Sequence, residues 1–475
     1  MRKRLALCVV LGVLLGLSGC RPKETKVYVA SVNDMHANIN NFPKLAYVID
    51  SLRAEHPDLL LFSAGDNRSG NPFNDRYGEP SRPIIELMNA TGFDLCALGN
   101  HEWDNGPEGI RLMMEWADFP FICANVTFDD SLNIPIKPCV VLERNGLKIG
   151  VVGGIEVGMN GIPAFHPKNA GGSHFDSIEK VLPNYMNLRD ECDLLFMLSH
   201  CGFEEDVEIA GRFPQFDAIF GGHSHTLVDS LRLFNGVLVT QAMSRVKYLT
   251  FSTFTVREKE GVADRESVVI PIENRTSRSE RIQAMVDAFN DNEVFKQVLG
   301  HNDTDIVDCR ECLGDLMADA YREVTGSEMG FQNHGGVRMV SLPAGAITLG
   351  DIYSLDPFNN GLVTLSMTGR EIVDFIEASD HTDHGLNFCS GCTYTYVTDE
   401  EGNNTGFQVT LDNGKPLKMD KKYKVAMNSF MFAAFSFNHE DQGVSAEISS
   451  NEAIVKYLEA HPHIDYAGVS RMHER

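Results

Sequence analysis

The sequence predicts an α/β fold in which functional side chains collect at the ends of buried strands. The first observation is a pattern repeated five times, in which a short apolar run stops at residues able to bind metal or move protons. Lys26 to Val32 ends in Asn33-Asp34-Met35-His36, Leu59 to Ala64 in Gly65-Asp66, and Phe93 to Leu98 in Gly99-Asn100-His101-Glu102-Trp103-Asp104. Asp193 to Leu198 ends in Ser199-His200, and Asp217 to Phe220 in Gly221-Gly222-His223-Ser224-His225. Buried strands read as short apolar runs bounded by turn residues. The second observation is that helical spacing of apolar residues lies between such runs, over Ser81 to Ala90 and Pro107 to Ala117. The third is length: 475 residues predict more than one domain and ample core.

In layered α/β proteins, ligands gather beyond the carboxyl ends of the strands. Convergence of the five ends would bring Asp34, His36, Asp66, Asn100, His200, His223 and His225 together. Any one of these motifs reads equally well as a strand-end cap; five in succession do not. The set offers imidazole nitrogens, carboxylates and one amide oxygen. That suits Zn²⁺, Mn²⁺, Fe or Co²⁺ better than an all-oxygen Ca²⁺ cage. Seven ligands are too many for one tetrahedral ion and enough for two, if one carboxylate bridges. Two ions ~3.5–4 Å apart suit in-line displacement at phosphorus.

The remaining elements follow in order. Arg2-Lys3-Arg4 and the apolar Leu5 to Leu17 form an export signal too short for a comfortable membrane span. It ends in Leu17-Ser18-Gly19-Cys20, which resembles a lipoprotein box, so residues 1–20 read as a lipoprotein signal peptide whose cleavage is expected to leave Cys20 as the lipid-carrying N-terminus. An ordinary signal peptide cut nearby is the alternative. The protein is thus expected to be exported and anchored by lipid to a bacterial membrane, facing the periplasm or the cell surface. From 26 to 275 strands and helices alternate. Leu142 to Gly154 reads as a hairpin turning at Asn145-Gly146, and Gly236 to Met243 with Lys247 to Val256 are expected to close a second sheet. Ser277 to Leu299 is amphipathic and charged, and is read as a linker helix over 276–300. A second domain then fills 301–475, opening with a helix around Leu313 to Ala320.

Charge and cysteine content narrow the function. Lys and Arg number 41 against 66 Asp and Glu, a net charge of −25, so a nucleic-acid-binding surface is not expected. A phosphate substrate is still compatible, because bound metal ions dominate the local field. Of 11 cysteines, Cys8 and Cys20 belong to the export signal and nine remain. Cys96, Cys192 and Cys201 lie in or beside apolar strands and read as small core residues. Cys309-Arg310-Glu311-Cys312 and Cys389-Ser390-Gly391-Cys392 are too far apart for a zinc ribbon. Disulfides within or between these pairs are expected instead, with reduced thiols as the alternative.

Asn33-Asp34-x-His36, Gly65-Asp66, Gly99-Asn100-His101-Glu102, Ser199-His200 and Gly222-His223-Ser224-His225 resemble the five blocks of calcineurin-like metallophosphoesterases. Their wording is most similar to the bacterial 5'-nucleotidase / 2',3'-cyclic phosphodiesterase branch. Asn333-His334-Gly335-Gly336-Val337-Arg338, Gly350-Asp351-Ile352 and Pro357-Phe358-Asn359-Asn360 resemble that branch's C-terminal domain. The resemblance implies a four-layer αββα metallophosphoesterase sandwich followed by a smaller α/β substrate-binding domain. It implies one ion held by Asp34, His36, Asp66 and His225, and another by Asp66, Asn100, His200 and His223. His101 is implied to face the phosphoryl group, with Asp104 holding its other ring nitrogen. Asp104 also suits a plain helix cap before Gly106.

The implied activity is release of phosphate from nucleotides, with the C-terminal domain presenting the nucleoside. Asn333 and Arg338 match the family's Asn-x-Gly-Gly-x-Arg run, and Phe388 matches its first base-stacking aromatic. The second aromatic normally precedes a Gly-Gly-Asp-Gly-Tyr run that is missing here; Phe430 or Phe432 stands in the corresponding stretch. This departure keeps open cyclic nucleotides, nucleotide sugars or a non-nucleotide phosphoester as substrate. A non-catalytic, ligand-binding lipoprotein is the reading from another class, and the intact metal blocks speak against it. The cluster Asp380-His381-Thr382-Asp383-His384 reads as a solvated loop or a further cation site. Oligomeric state is not readable from these features.

Overall fold

Two six-stranded sheets stack face to face and carry the N-terminal half. The computed structural model of the chain describes residues 24–258, 260–380, 385–398 and 404–474. The Cys20 box and residues 381–384 of the acidic cluster lie outside them. The first sheet runs, in order, Gly261–Pro271, Tyr248–Arg257, Glu24–Val32, Leu60–Ser63, Leu95–Ala97 and Phe121–Ile122. The second runs Leu233–Phe234, Val237–Thr240, Ala218–Phe220, Leu194–His200, Leu147–Ile155 and Cys139–Arg144. The central strands of each sheet are parallel, so their carboxyl ends share one edge.

Burial explains the sequence pattern. Leu194–His200 is covered on both faces and is buried at every position, so it reads as a continuous apolar run rather than an alternation. Between the sheets Phe62, Phe196, Phe220 and Phe254 interlock, with Phe196 centred 4.8 Å from Phe254 and 5.4 Å from Phe220. The outer face of the first sheet is covered by helices Phe42–Glu55, Arg82–Thr91, Gly106–Trp116 and Glu280–Asn290. Helix Phe203–Arg212 covers the second. Helix Arg82–Thr91 carries Pro83 in its first turn and stops at Gly92, whose φ of 78° only glycine adopts freely. The four layers are those implied by the resemblance.

Two expectations are corrected. The strand Tyr248–Arg257 does not close the second sheet. It pairs antiparallel with Glu24–Val32 and, with Gly261–Pro271, extends the first; its alternation fixes that it is a strand but not which edge it joins. The helix expected over 277–299 is limited to Glu280–Asn290, followed by a single 3₁₀ turn at Glu293–Lys296 and a strand from Val298. The Asn290-Asp291-Asn292 step interrupts it, with Asn292 capping the next turn through Val294 N–H. Ile282 and Val286 are buried with the N-terminal domain's core, so this segment is part of that wall. The Asn145-Gly146 turn stands as expected, both residues having positive φ.

The C-terminal half is built on a five-stranded sheet in the order Phe388–Ser390, Met329–Gln332, Lys422–Asn428, Gly361–Thr368 and Val444–Ser449. Helices Arg310–Thr325 and Ser450–Ala460 pack together in one core. Cys309 and Cys312 form a disulfide at the start of the first of these helices. Cys389 and Cys392 are free and buried. None of the described helices is long and apolar enough to cross a membrane.

Asp315, within this core, gives a test of the fold. Its two carboxyl oxygens have no hydrogen-bond partner among the described residues, and Arg471 Nε approaches only to 3.7 Å. Burial pushes the carboxyl up to about 8, against the pull of Arg471. Between the ordinary aspartate range and that value, the folded chain keeps a proton that the unfolded chain has released. Stability therefore falls as pH rises through this window. Asp315→Asn is expected to raise the thermal midpoint more at about pH 8 than at about pH 5. An equal change at both pH values would contradict the assignment.

Candidate metal centre

Every predicted ligand sits at, or just beyond, the end of a strand of the shared edge. Asp34 and His36 follow Glu24–Val32, Asp66 follows Leu60–Ser63, and Asn100 follows Leu95–Ala97. His200 closes its own strand, and His223 and His225 follow Ala218–Phe220. The ligating atoms of Asp34, His36 and His225 lie within 4.8 Å of one another, as do those of Asp34, Asp66 and His200. Asn100 Oδ1 lies 3.2 Å from His200 Nε2 and 3.0 Å from His223 Nδ1. His36 Nε2 and His225 Nε2 are 2.9 Å apart. Nitrogen and oxygen donors aimed at one small space fit divalent transition-metal ions by the chemistry of the set.

The backbone is bent to achieve this. Asp34, His36, Asp66, His223 and His225 all have φ between 46° and 78°. Non-glycine residues hold such angles at a cost of order 1–3 kcal/mol each, and clusters of them mark functional sites. Close approach also requires glycine at Gly99, where a Cβ would fall 2.3 Å from Asp66 Oδ1. Glu102 locks the two turns together. Its carboxylate accepts from the backbone N–H groups of Asp66 at 3.0 Å, Asn67 at 2.9 Å and Gly99 at 2.6 Å. The sequence reading gave Glu102 no role, although it stands in the same motif as Asn100 and His101.

His101 and Asp104 are paired as expected, His101 Nδ1 lying 2.9 Å from Asp104 Oδ2. Asp104 Oδ2 also accepts from Ser69 Oγ. Burial lowers the His101 pKa, but Asp66 and Asp104 outweigh it and raise it above the ordinary histidine value. His101 Nε2, with His36 and Asp66, also forms a third group of convergent ligand atoms. Arg338 Nη2 reaches the same nitrogen at 2.8 Å and stands 3.3 Å from His36 Nδ1. Arg338 therefore lies beside the ligand cluster.

These residues floor a cavity of about 1290 Å³ between the two halves of the chain. Arg245 Nη2 spans the halves, donating to the Arg338 carbonyl at 2.6 Å, and Arg310 Nη1 lies 3.3 Å from His334 Nδ1. Burial, then the charges of Arg338 and Arg310, depress the Arg245 guanidinium to about 10. Arg245, Arg310 and Arg338 line one cavity and form no salt bridge with a carboxylate among the described residues. In a chain of net charge −25, that grouping marks a place for an anion. Motif reading missed Arg245 and Arg310.

Phe388 is corrected. It is 1 % exposed and faces Gly314, where a Cβ would clash with its ring, while His334 lies over it at 5.5 Å. It packs the core beneath the cavity and presents no face to a base. Phe358, partly buried, lines the cavity instead: it stacks on His101 at 5.5 Å and 22°, with the Arg338 guanidinium 5.3 Å from its ring centre. Phe430 and Asn333 line the cavity. Asn333 Oδ1 is held by Asn428 Nδ2 at 2.9 Å.

Fold and site together define a hydrolase that works on phosphoesters with metal at strand ends. Residues 27–227 match the calcineurin-like phosphoesterase family, and residues 294–437 match the 5'-nucleotidase C-terminal domain. The chain belongs to the 5'-nucleotidase branch of the calcineurin-like metallophosphoesterases, and is a metal-dependent phosphoester hydrolase. It is 24% identical to the 5'-nucleotidase of Vibrio cholerae over 537 residues, covering 95% of each chain. It is 26% identical to the trifunctional nucleotide phosphoesterase protein YfkN of Bacillus subtilis over 468 residues, 85% of this chain but 32% of that one. The crystal structure of the 5'-nucleotidase precursor from Thermus thermophilus shares the fold, with a TM-score of 0.83 at 22% identity over 95% of this chain and 99% of that one.

Proposed function

We propose that this chain releases phosphate from nucleotides as an exported, lipid-anchored 5'-nucleotidase. The observation that carries the reading is one cavity lined by Asp66, Asn100, His223 and His225 of the ligand cluster, by the His101–Asp104 pair, by five arginines, and by Phe358 and Phe430. Asp34, His36, Asp66 and His225 would hold one divalent ion, and Asp66, Asn100, His200 and His223 would hold another. When bound, the ions polarise the phosphoryl group and make a water nucleophilic near neutral pH. The protein's own groups complete the work. Asp104 fixes the His101 ring so that Nε2 faces the phosphoryl oxygens, where an imidazolium stabilises developing charge. Arg338 shares that task from the other domain. Phe358 and Phe430 offer faces for the base. Cys20 carries the lipid and tethers the chain to its membrane, outside the described residues.

A second reading is favoured by size and charge. At about 1290 Å³, the cavity exceeds the ~300–1,000 Å³ usual for small-molecule sites, and Arg245 and Arg310 lie beyond Arg338. Nucleotide sugars or other nucleotides with a second anionic group fit that space better than a bare phosphomonoester does. The test is a kinetic panel of nucleoside monophosphates, 2',3'-cyclic nucleotides, nucleotide sugars and p-nitrophenyl phosphate. The nucleotidase reading expects kcat/KM for a nucleoside monophosphate to exceed that for p-nitrophenyl phosphate by at least tenfold. Equal values would discard nucleotide recognition. Arg245→Ala and Arg310→Ala are each expected to raise KM for the preferred nucleotide by about 10-fold or more, since a hydrogen bond to a charged group contributes ~1.5–3 kcal/mol. If p-nitrophenyl phosphate suffers equally, the two arginines act on the fold and not on the substrate.

A further inference from the structure

An asparagine ligand carries an ambiguity that a carboxylate does not. Either end of its amide can point at a metal, and only the oxygen coordinates. Within this site the choice is made from outside the ligand cluster. Asn100 Nδ2 donates to the carbonyl of Ala164 at 2.9 Å, which leaves Oδ1 facing His200 and His223. Ala164 belongs to a surface excursion between Glu156 and Phe165, whose tip at Met159 is wholly exposed. Such a segment does not hold a carbonyl in place unaided.

Two contacts fix it. Phe165 stacks on Trp103 at 5.4 Å and 4°, anchoring the far side. The Ala164 N–H donates to Glu156 Oε1 at 2.7 Å, anchoring the residue itself. Glu156 is 8 % exposed and follows the strand Leu147–Ile155, and its own N–H donates to the His200 carbonyl at 3.1 Å. Glu156 Oε2 is buried and has no hydrogen-bond partner among the described residues. A buried carboxyl group with one oxygen unpartnered destabilises the fold unless it serves another purpose.

The geometry points to Glu156 as a positioning residue that sets the Asn100 amide through the Ala164 backbone, and so tunes the ion held by Asn100, His200 and His223. Glu156 lies one step behind two of those three ligands and touches none of the Asp34, His36 and His225 group. The inference rests on the reading of Asn100 as a ligand.

The test is calorimetric titration of chelator-stripped protein with Mn²⁺, following both binding steps, alongside circular dichroism of the stripped protein. Glu156→Ala is expected to weaken one step by ~10–100-fold, the scale of an outer-shell metal-site substitution, and to leave the other step unchanged. Glu156→Gln keeps an oxygen for Ala164 and should restore wild-type binding. Should the alanine variant fail to fold, Glu156→Asp keeps the carboxyl group but falls a methylene short, and should weaken the same step. Asn100→Ala is measured in parallel. If that variant loses one ion while Glu156→Ala and Glu156→Asp keep both at wild-type affinity, the positioning role is wrong and the ligand reading stands. If Asn100→Ala itself retains both ions, the ligand reading falls and takes this inference with it. Equal weakening of both steps in a folded Glu156 variant would also overturn the proposal.

Discussion

Asp66→Asn is expected to lower metal content and activity together, with the fold retained. Asp66 stands where the groups meet. Its Oδ2 is 3.3 Å from His200 Nε2 and 3.8 Å from His101 Nε2, and its Oδ1 accepts the His101 backbone N–H at 2.8 Å. Burial opposes its charge, but the imidazoles of His200 and His101 prevail and hold the carboxyl well below its usual range. An amide is isosteric but neutral and offers a single oxygen, so it cannot bridge two cations. The activity loss should exceed the ~10²–10³-fold set by one transition-state donor, because the ions themselves are affected. The sheets are closed by the Phe196 and Phe220 core and do not depend on the ions, so circular dichroism should match wild type. Elemental analysis showing two metals per chain with full turnover would remove Asp66 from the bridging position.

The metal cluster was legible because its signal is local. Each ligand lies within a few residues of a buried strand end, so the apolar run and the residues after it carry the whole message. What was illegible depended on pairing or packing across long separations. The alternation of Tyr248–Arg257 announces a strand, but its partner is Glu24–Val32, more than 200 residues away, and nothing in either segment encodes the match. Phe388 sits in a motif-like stretch, but Gly314 opens a slot for its ring on the neighbouring helix, and that complementarity appears only in three dimensions. Phe358 was within a recognised segment, yet its stacking on His101 required the two domains to be placed. Arg245 and Arg310 are ordinary surface residues in sequence; their meaning comes from facing one cavity.

His101→Ala is expected to reduce kcat by ~10²–10³-fold while metal content stays near wild type, the scale for loss of one donor to developing charge. The structure makes this a sharp test, since His101 Nε2 also converges with His36 and Asp66 closely enough to serve as a ligand. One arrangement favours the donor role: Asp104 engages Nδ1 at 2.9 Å and Phe358 stacks on the ring, so Nε2 is the ring nitrogen left for the cavity, where Arg338 Nη2 stands 2.8 Å away. Asp104 supplies an independent readout. It raises the His101 pKa, so activity that needs the imidazolium persists to higher pH and fades as pH rises through that raised value. Asp104→Asn removes part of the rise and should move the alkaline limb of kcat to lower pH. In His101→Ala the limb should vanish. Loss of an ion from His101→Ala in step with activity would make His101 a ligand. A limb that stays put in Asp104→Asn would show that some other group sets it.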